Sequence, residues 1–397
     1  MRIEADWLHD PAVQVVMTVL KDGGHGAWFV GGCVRNAVLG AGASDVDITT
    51  DALPGRVMAL AEDARLRAVP TGVAHGTVTI VADSRPFEIT TLRRDVETHG
   101  RHATVAFGTS LAEDAARRDF TMNALYATVE GEVLDPLGEG LADLCARRLR
   151  FIGDPRARIR EDYLRILRFF RFHAWYADPE GGIDAEGLAA CAEGVDGLDR
   201  LSRERVGAEM RKLLAAPDPA PAVGAMSASG VLLRVLPGAG VQTLAVLVHV
   251  ETAAGLEPDW LCRLAALGGA DAAGALRLSR AEERRLERLR DAMERSWGPE
   301  ESGYRLGEAD ASCALALRAA LAGREIEPGV LDRMRQGAAR VFPLRAADLP
   351  GHIAGKAIGE TLIHLESLWI ADGFAKDRAG LLELLRKDHG TKPPRQS

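Results

Sequence analysis

Ala27-Trp28-Phe29-Val30-Gly31-Gly32-Cys33-Val34-Arg35, with Asp45-Val46-Asp47-Ile48-Thr49 about ten residues further on, is the stretch on which the fold turns. Ala27 to Val30 is a short apolar run of strand type, and Cys33 to Leu39 continues at helical spacing. Gly31-Gly32 joins the two. Without side chains there, backbone N–H groups at the helix N-terminus can approach a triphosphate, and Arg35 adds a positively charged fork. Asp45 and Asp47 stand two apart on a predicted strand, so both carboxylates project from one face. Carboxylates held that close repel each other unless a divalent cation lies beside them, which is the need of a two-metal phosphoryl-transfer site. Alone, a Gly-Gly turn or a D-x-D tripeptide is commonplace. Strand, Gly-Gly, helix and D-x-D in this order are far more specific.

Working outward, Thr77 to Val81 and Phe87 to Leu92 alternate as strands, and Leu125 to Val129 with Glu132 to Leu134 read as a hairpin about Glu130-Gly131. After residue 150 strand signals vanish and Leu and Ala recur at helical spacing. The expected fold class is α+β: an N-terminal mixed α/β head over 1–150, then an all-helical neck (151–215), body (216–300) and tail (301–397). A chain of 397 residues with 47% hydrophobic content holds several buried cores, and 27% charged residues is ordinary for a soluble protein. Met1 to Leu20 lacks a secretion signal, and no apolar stretch is long enough to span a bilayer, so a cytoplasmic protein without a membrane partner is expected. The five cysteines (Cys33, Cys145, Cys191, Cys262, Cys313) have no C-x-x-C spacing and are expected to be neither a disulfide framework nor a zinc site.

The net charge of −8 argues against a nucleic-acid partner, but the distribution does not. Between Arg147 and Arg171 nine arginines face only Asp154, Glu161 and Asp162, a local excess of +6. Such a stripe can hold phosphates. A solvated amphipathic helix is the simpler reading of the charge run by itself.

Val30-Gly31-Gly32-Cys33-Val34-Arg35 with Asp45-Val46-Asp47 resembles the first motif of the class II CCA-adding enzymes and bacterial poly(A) polymerases, members of the polymerase β nucleotidyltransferase superfamily. The resemblance continues in order through Arg117-Arg118-Asp119-Phe120-Thr121-Met122-Asn123-Ala124, Asp135-Pro136 with Gly140 and Asp143, and Glu161-Asp162-Tyr163-Leu164-Arg165-Ile166-Leu167-Arg168. Leu201-Ser202-Arg203-Glu204-Arg205 to Glu209 is similar to the neck motif, and Ile358-Gly359 with Trp369-Ile370 to the tail. Asn36 departs from the family, which usually has Asp there.

The resemblance implies addition of C, C and A to the 3′ end of tRNA from CTP and ATP, without a template. Asp45 and Asp47 would be catalytic and bind two Mg²⁺ ions, with Glu88 a third acidic candidate. Gly32 and Arg35 would contact the triphosphate, Arg118 the nucleotide and Asp119 the ribose. Asp162 and Arg165 would select the base, and chemistry supports this directly. A carboxylate offers only acceptors and a guanidinium only donors, which matches the amino group and ring nitrogen of cytosine or adenine. Uracil and guanine present a carbonyl where the amino group should be, which costs about 1–3 kcal/mol per buried unpaired group. Arg168 and Arg171 would brace that pair or contact phosphate. Arg94 to Gly108, polar and without periodicity, is expected to be a long functional loop, and the resemblance implies that it reshapes the pocket from C to A selection. A poly(A) polymerase or an enzyme adding only the final A shares these motifs, and an inactive RNA-binding homologue is the reading from a different class. Pro70-Thr71-Gly72-Val73-Ala74-His75-Gly76-Thr77-Val78 looks more like the tRNA enzymes.

Overall fold

The computed structural model describes residues 1–42, 45–99 and 102–390. Strands occupy the first part of the chain: β1 (Ala27–Val30), β2 (Ile48–Thr50), β3 (Arg67–Gly72), β4 (Thr77–Ala82), β5 (Arg85–Thr91), β6 (Arg93–His99), β7 (His102–Phe107), β8 (Tyr126–Ala127) and β9 (Val133–Leu134). The head also carries α1 (Pro11–Asp22), α2 (Gly32–Val38), α3 (Pro54–Asp63), α4 (Leu111–Ala116) and α5 (Gly140–Cys145). Beyond Leu134 every regular element among the described residues is helical. These are α6 (Pro155–Glu161), α7 (Leu164–Tyr176), α8 (Ala185–Glu193), α9 (Arg203–Leu214), α10 (Ala220–Ala228) and α11 (Val231–Val235). There follow α12 (Gln242–Ala254), α13 (Trp260–Leu267), α14 (Ala272–Ala275), α15 (Arg280–Glu294) and α16 (Pro299–Leu321). The last three are α17 (Val330–Ala338), α18 (Lys356–Ala371) and α19 (Arg378–Gly390). No described helix is long and apolar enough to cross a membrane.

The chain forms two compact units, one from 1–241 with 268–278 and the other from 242–267 with the described residues after 278. The segment 216–300, expected as a single helical body, contributes to both.

In the first unit a seven-stranded sheet runs β3-β4-β5-β2-β1-β8-β9. Only β2 and β5 pair in parallel, with Ile48 opposite Ile89, and the remaining neighbours are antiparallel. α1 begins at Asp10, whose carboxylate accepts from the Ala12 N–H, and it buries Val13, Val16, Met17 and Leu20 at helical spacing against the sheet. Asp45-Val46-Asp47, expected on a strand, lies just ahead of β2. Its last residue nonetheless prolongs the pairing, because the Val30 N–H donates to the Asp47 carbonyl at 3.0 Å.

The region from Arg94 to Gly108 corrects the loop expectation. Its strands β6 and β7 pair as a two-stranded antiparallel hairpin, with Arg94 opposite Ala106 and a bulge between Asp95 and Glu97. Gly100 and Arg101, which that expectation also covered, lie outside the described residues. The bulge explains the missing periodicity, because one extra residue shifts the alternation by one position.

α7 is joined to the head by aromatic packing. Phe120 lies 4.9 Å from Phe151 and 5.3 Å from Phe172, and Phe151 stacks on Phe169 at 5.4 Å. In the second unit, α16 and α17 cross at glycines. A Cβ on Gly303 would sit 2.0 Å from the Met334 carbonyl oxygen, and one on Gly337 1.9 Å from that of Glu300, so no larger residue permits this approach. Leu365, Trp369, Phe374, Leu381 and Leu385 close a further core around Tyr304. Cys262 and Cys313 correct the cysteine expectation: they form a disulfide between α13 and α16. Their 51-residue separation gives no local sign of the pairing, which arises from helix packing.

Candidate active site

Gly31 starts the site. Its φ of 73° is left-handed, which suits glycine, and its carbonyl accepts from the Arg35 N–H to open α2. Beside this turn lies a cavity of about 1100 Å³ lined by Asp45, Asp47, Glu88, Thr79, Asn36 and Arg85. Asp47 is half-buried and Asp45 exposed. Burial, with the charges of Glu88 and Asp45, pushes the Asp47 carboxyl up to about 6 despite the opposing field of Arg118. These carboxylates share one cavity and a mutual repulsion that a divalent cation would relieve, and their hard oxygen donors suit Mg²⁺. Among the described residues, however, no three His, Cys, Asp or Glu side chains converge on a common point where a metal could be held.

Arg35 faces inward. Its guanidinium donates to Asn123 Oδ1 at 2.6 Å and to the Tyr176 hydroxyl at 2.7 Å, and lies 3.9 Å from the Tyr176 ring centre. It therefore braces the Gly-Gly helix against the RRD segment and α7. Asn36 does two jobs with its amide: Oδ1 accepts from Arg35, and Nδ2 donates to the Gly42 carbonyl at 3.1 Å. An aspartate could perform only the first.

Arg118 rests on groups the motif reading passed over. Its Nη2 donates to Asp114 Oδ2 at 3.0 Å, and its Nε to the Tyr126 hydroxyl at 3.2 Å. Asp114 is fully buried, and although burial raises its pKa, Arg118 and Arg117 bring it below the usual value. Asp119 is likewise nearly buried. Its carboxylate accepts from the Phe120 N–H, from Asn123 Nδ2 at 3.0 Å and from Arg168 Nε at 2.7 Å. Against the upward push of burial, Arg168 and the hydrogen bonds hold it down at about 2.

The E-D-x-x-R-x-x-R motif is not one continuous helix: α6 ends at Glu161, and Asp162 has extended backbone (φ −151°, ψ 108°) before α7 begins. Asp162 and Arg165 do not form a salt bridge with each other. Arg205 of α9 reaches Asp162 Oδ2 at 2.6 Å, while Arg165 pairs with Glu161 and donates to the Arg158 carbonyl at 2.8 Å. Arg171 pairs with Glu209 of α9, so Arg168 and Arg171 brace acids other than Asp162. Seven of the nine arginines between 147 and 171 form ion pairs with acids (Arg148, Arg150, Arg156, Arg158, Arg165, Arg168 and Arg171). The expected phosphate stripe is thus largely a bracing lattice. Sequence reasoning missed Asp114, Tyr126, Tyr176 and the Arg205–Asp162 contact. Only Asp114, four residues before Arg118, left a local signal.

A mixed sheet with a Gly-Gly turn, paired carboxylates in a cavity beside it and a helical neck set against it is the arrangement of a nucleotidyltransferase. The poly A polymerase head domain family matches residues 27–150, and the probable RNA and SrmB-binding site of polymerase A matches residues 182–241. The mitochondrial CCA tRNA nucleotidyltransferase 1 of Mus musculus is 32% identical over 91% of this chain and 87% of its own length. The CCA-adding enzyme of Geobacillus thermodenitrificans is 39% identical over 56% of this chain and 54% of its own. The crystal structure of the Bacillus stearothermophilus CCA-adding enzyme in complex with CTP superposes with a TM-score of 0.72 at 28% identity, covering 96% of this chain and all of that one. The chain belongs to the class II CCA-adding enzymes, the CCA tRNA nucleotidyltransferases.

Proposed function

We propose that this enzyme adds C, C and then A to the 3′ end of tRNA from CTP and ATP, without a nucleic-acid template. The arrangement of Asp162 and Arg165 carries the reading. Each is anchored from a different direction, Asp162 by Arg205 and Arg165 by Glu161, so neither neutralises the other. An acceptor beside a donor is left to meet the amino group and ring nitrogen of cytosine or adenine. A simple i,i+3 surface ion pair, the structural alternative, is absent.

The 3′-hydroxyl of the tRNA attacks the α-phosphorus of the bound nucleotide, the new phosphodiester forms, and pyrophosphate leaves with the electrons of the broken P–O bond. Asp45 and Asp47, with Glu88 alongside, would hold divalent cations, which supply charge neutralisation and a more acidic 3′-hydroxyl. The Gly31-Gly32 turn and Arg118 receive the triphosphate, Asp119 lies within the braced RRD segment where the ribose is expected, and Asp162 with Arg165 reads the base.

The experiment offers tRNAs ending before CCA, after C and after CC, with one labelled nucleotide at a time. CTP should extend the first two and ATP only the third. Addition of A only after CC, without C addition, would identify an A-adding enzyme. Long A tracts on unrelated RNA would identify a poly(A) polymerase, and no incorporation the inactive homologue. Asp45→Ala or Asp47→Ala should abolish incorporation while tRNA still binds in a filter assay, and near-normal turnover by either in Mg²⁺ would overturn their assignment.

A further inference from the structure

Arg118 is held by a closed set of hydrogen bonds. The Tyr126 hydroxyl donates to Asp114 Oδ2 at 2.7 Å and accepts from Arg118 Nε, while Arg118 Nη2 reaches the same carboxylate oxygen. The other oxygen, Oδ1, holds Arg117 at 2.6 Å. Asp114 and Tyr126 are fully buried, whereas the Arg118 side chain retains 21% exposure. Two of the three guanidinium nitrogens are therefore committed. The third, Nη1, has no protein hydrogen bond among the described residues and lies 3.6 Å from where a Cβ on Gly31 would stand. A planar guanidinium gripped along one edge can present only the opposite edge.

We propose that Asp114 and Tyr126 are positioning residues that orient Arg118 so that its free Nη1 edge meets the β- and γ-phosphates of the nucleotide at the Gly31-Gly32 turn. This rests on the nucleotide-transfer reading above. Asp114 supplies charge and direction, and Tyr126 fixes the rotation about the guanidinium axis. Neither touches the nucleotide.

The test measures direct binding of CTP, CMP and inorganic pyrophosphate to the full-length protein, wild type against Asp114→Asn and Tyr126→Phe. Loss of one charge-assisted contact corresponds to roughly tenfold and loss of a neutral one to roughly threefold. Asp114→Asn should accordingly weaken CTP and pyrophosphate about tenfold and Tyr126→Phe about threefold, both leaving CMP and the KM for tRNA unchanged. A purely structural role would weaken CMP in parallel, and that result would overturn the proposal, as would unchanged CTP affinity in both variants. Tyr126→Phe removes a single oxygen, so it decides the matter if Asp114→Asn fails to fold. A wild type that binds CTP but transfers nothing to tRNA would sink the proposed function and leave this arrangement testable by binding alone.

Discussion

Asp119, proposed to lie where the ribose binds, is held as a carboxylate by the groups packed around it. Its folded-state pKa of about 2 lies below the ordinary 3.8, so its ion pair with Arg168 stabilises the protein fully above that ordinary value. The contribution is lost as pH falls through about 2. That lowering corresponds to about 2 kcal/mol. Asp119→Asn should therefore cost stability at pH 6 in a urea titration, and the gap from wild type should hold down to about pH 4 and narrow only as pH falls from there toward about 2. A constant gap would mean that the carboxylate's charge is not what stabilises. Asp162 and Arg165 are the residues proposed to read the base. Arg165→Ala or Asp162→Ala should slow CTP incorporation and also reduce discrimination against UTP by about tenfold or more, since each buried mismatch costs 1–3 kcal/mol. Uniform slowing with all four nucleotides, preference ratios intact, would make the pair structural.

At the scale of elements, the difference between what the sequence discloses and what it hides is a matter of distance along the chain. The Gly31-Gly32 turn, the D-x-D segment and the R-R-D run are legible because each satisfies a local constraint within a few residues. Arg205 acts on Asp162 across 43 residues and Tyr176 on Arg35 across 141, and nothing in either neighbourhood announces the contact. The excess of arginines was visible, but their acidic partners on other elements were not. The β6–β7 hairpin was legible as special in composition but misread as a loop, because its bulge breaks the alternation. A hairpin also suits the task assigned to this region. Its ends are joined where the Gly108 N–H donates to the Leu92 carbonyl at 2.9 Å. In the proposed function one Asp162–Arg165 pair reads both a pyrimidine and a purine, whose Watson–Crick edges lie at different distances from the sugar, and that reading requires some element to move between the second C and the A. Replacing residues 96–106 by a short Gly-Ser linker should preserve C addition and stop before A. Equal loss of both activities, or complete CCA synthesis, would remove the hairpin from that role.

At the scale of the molecule, the division into two units separates chemistry from the disulfide. Every residue assigned to nucleotide handling lies in the first unit, whereas Cys262 and Cys313 lie in the second, buried at 2% and 6% exposure. A cross-link closing a loop of about fifty residues removes denatured-state entropy worth about 4 kcal/mol in the chain-entropy estimate. The second unit also contains the buried Arg263–Glu251 pair at 2.8 Å and the close Gly303–Gly337 crossing, both of which need its helices held in register. Replacing both cysteines by serine, or reducing the wild type with dithiothreitol, should therefore lower the calorimetric transition of the second unit by several degrees. The KM for CTP should stay where it was, because the residues proposed to bind the nucleotide all lie in the first unit. If both treatments leave the melting profile unchanged, the bridge adds nothing to stability. If the KM for CTP rises together with the loss of stability, the second unit reaches into nucleotide binding, and the separation of roles fails.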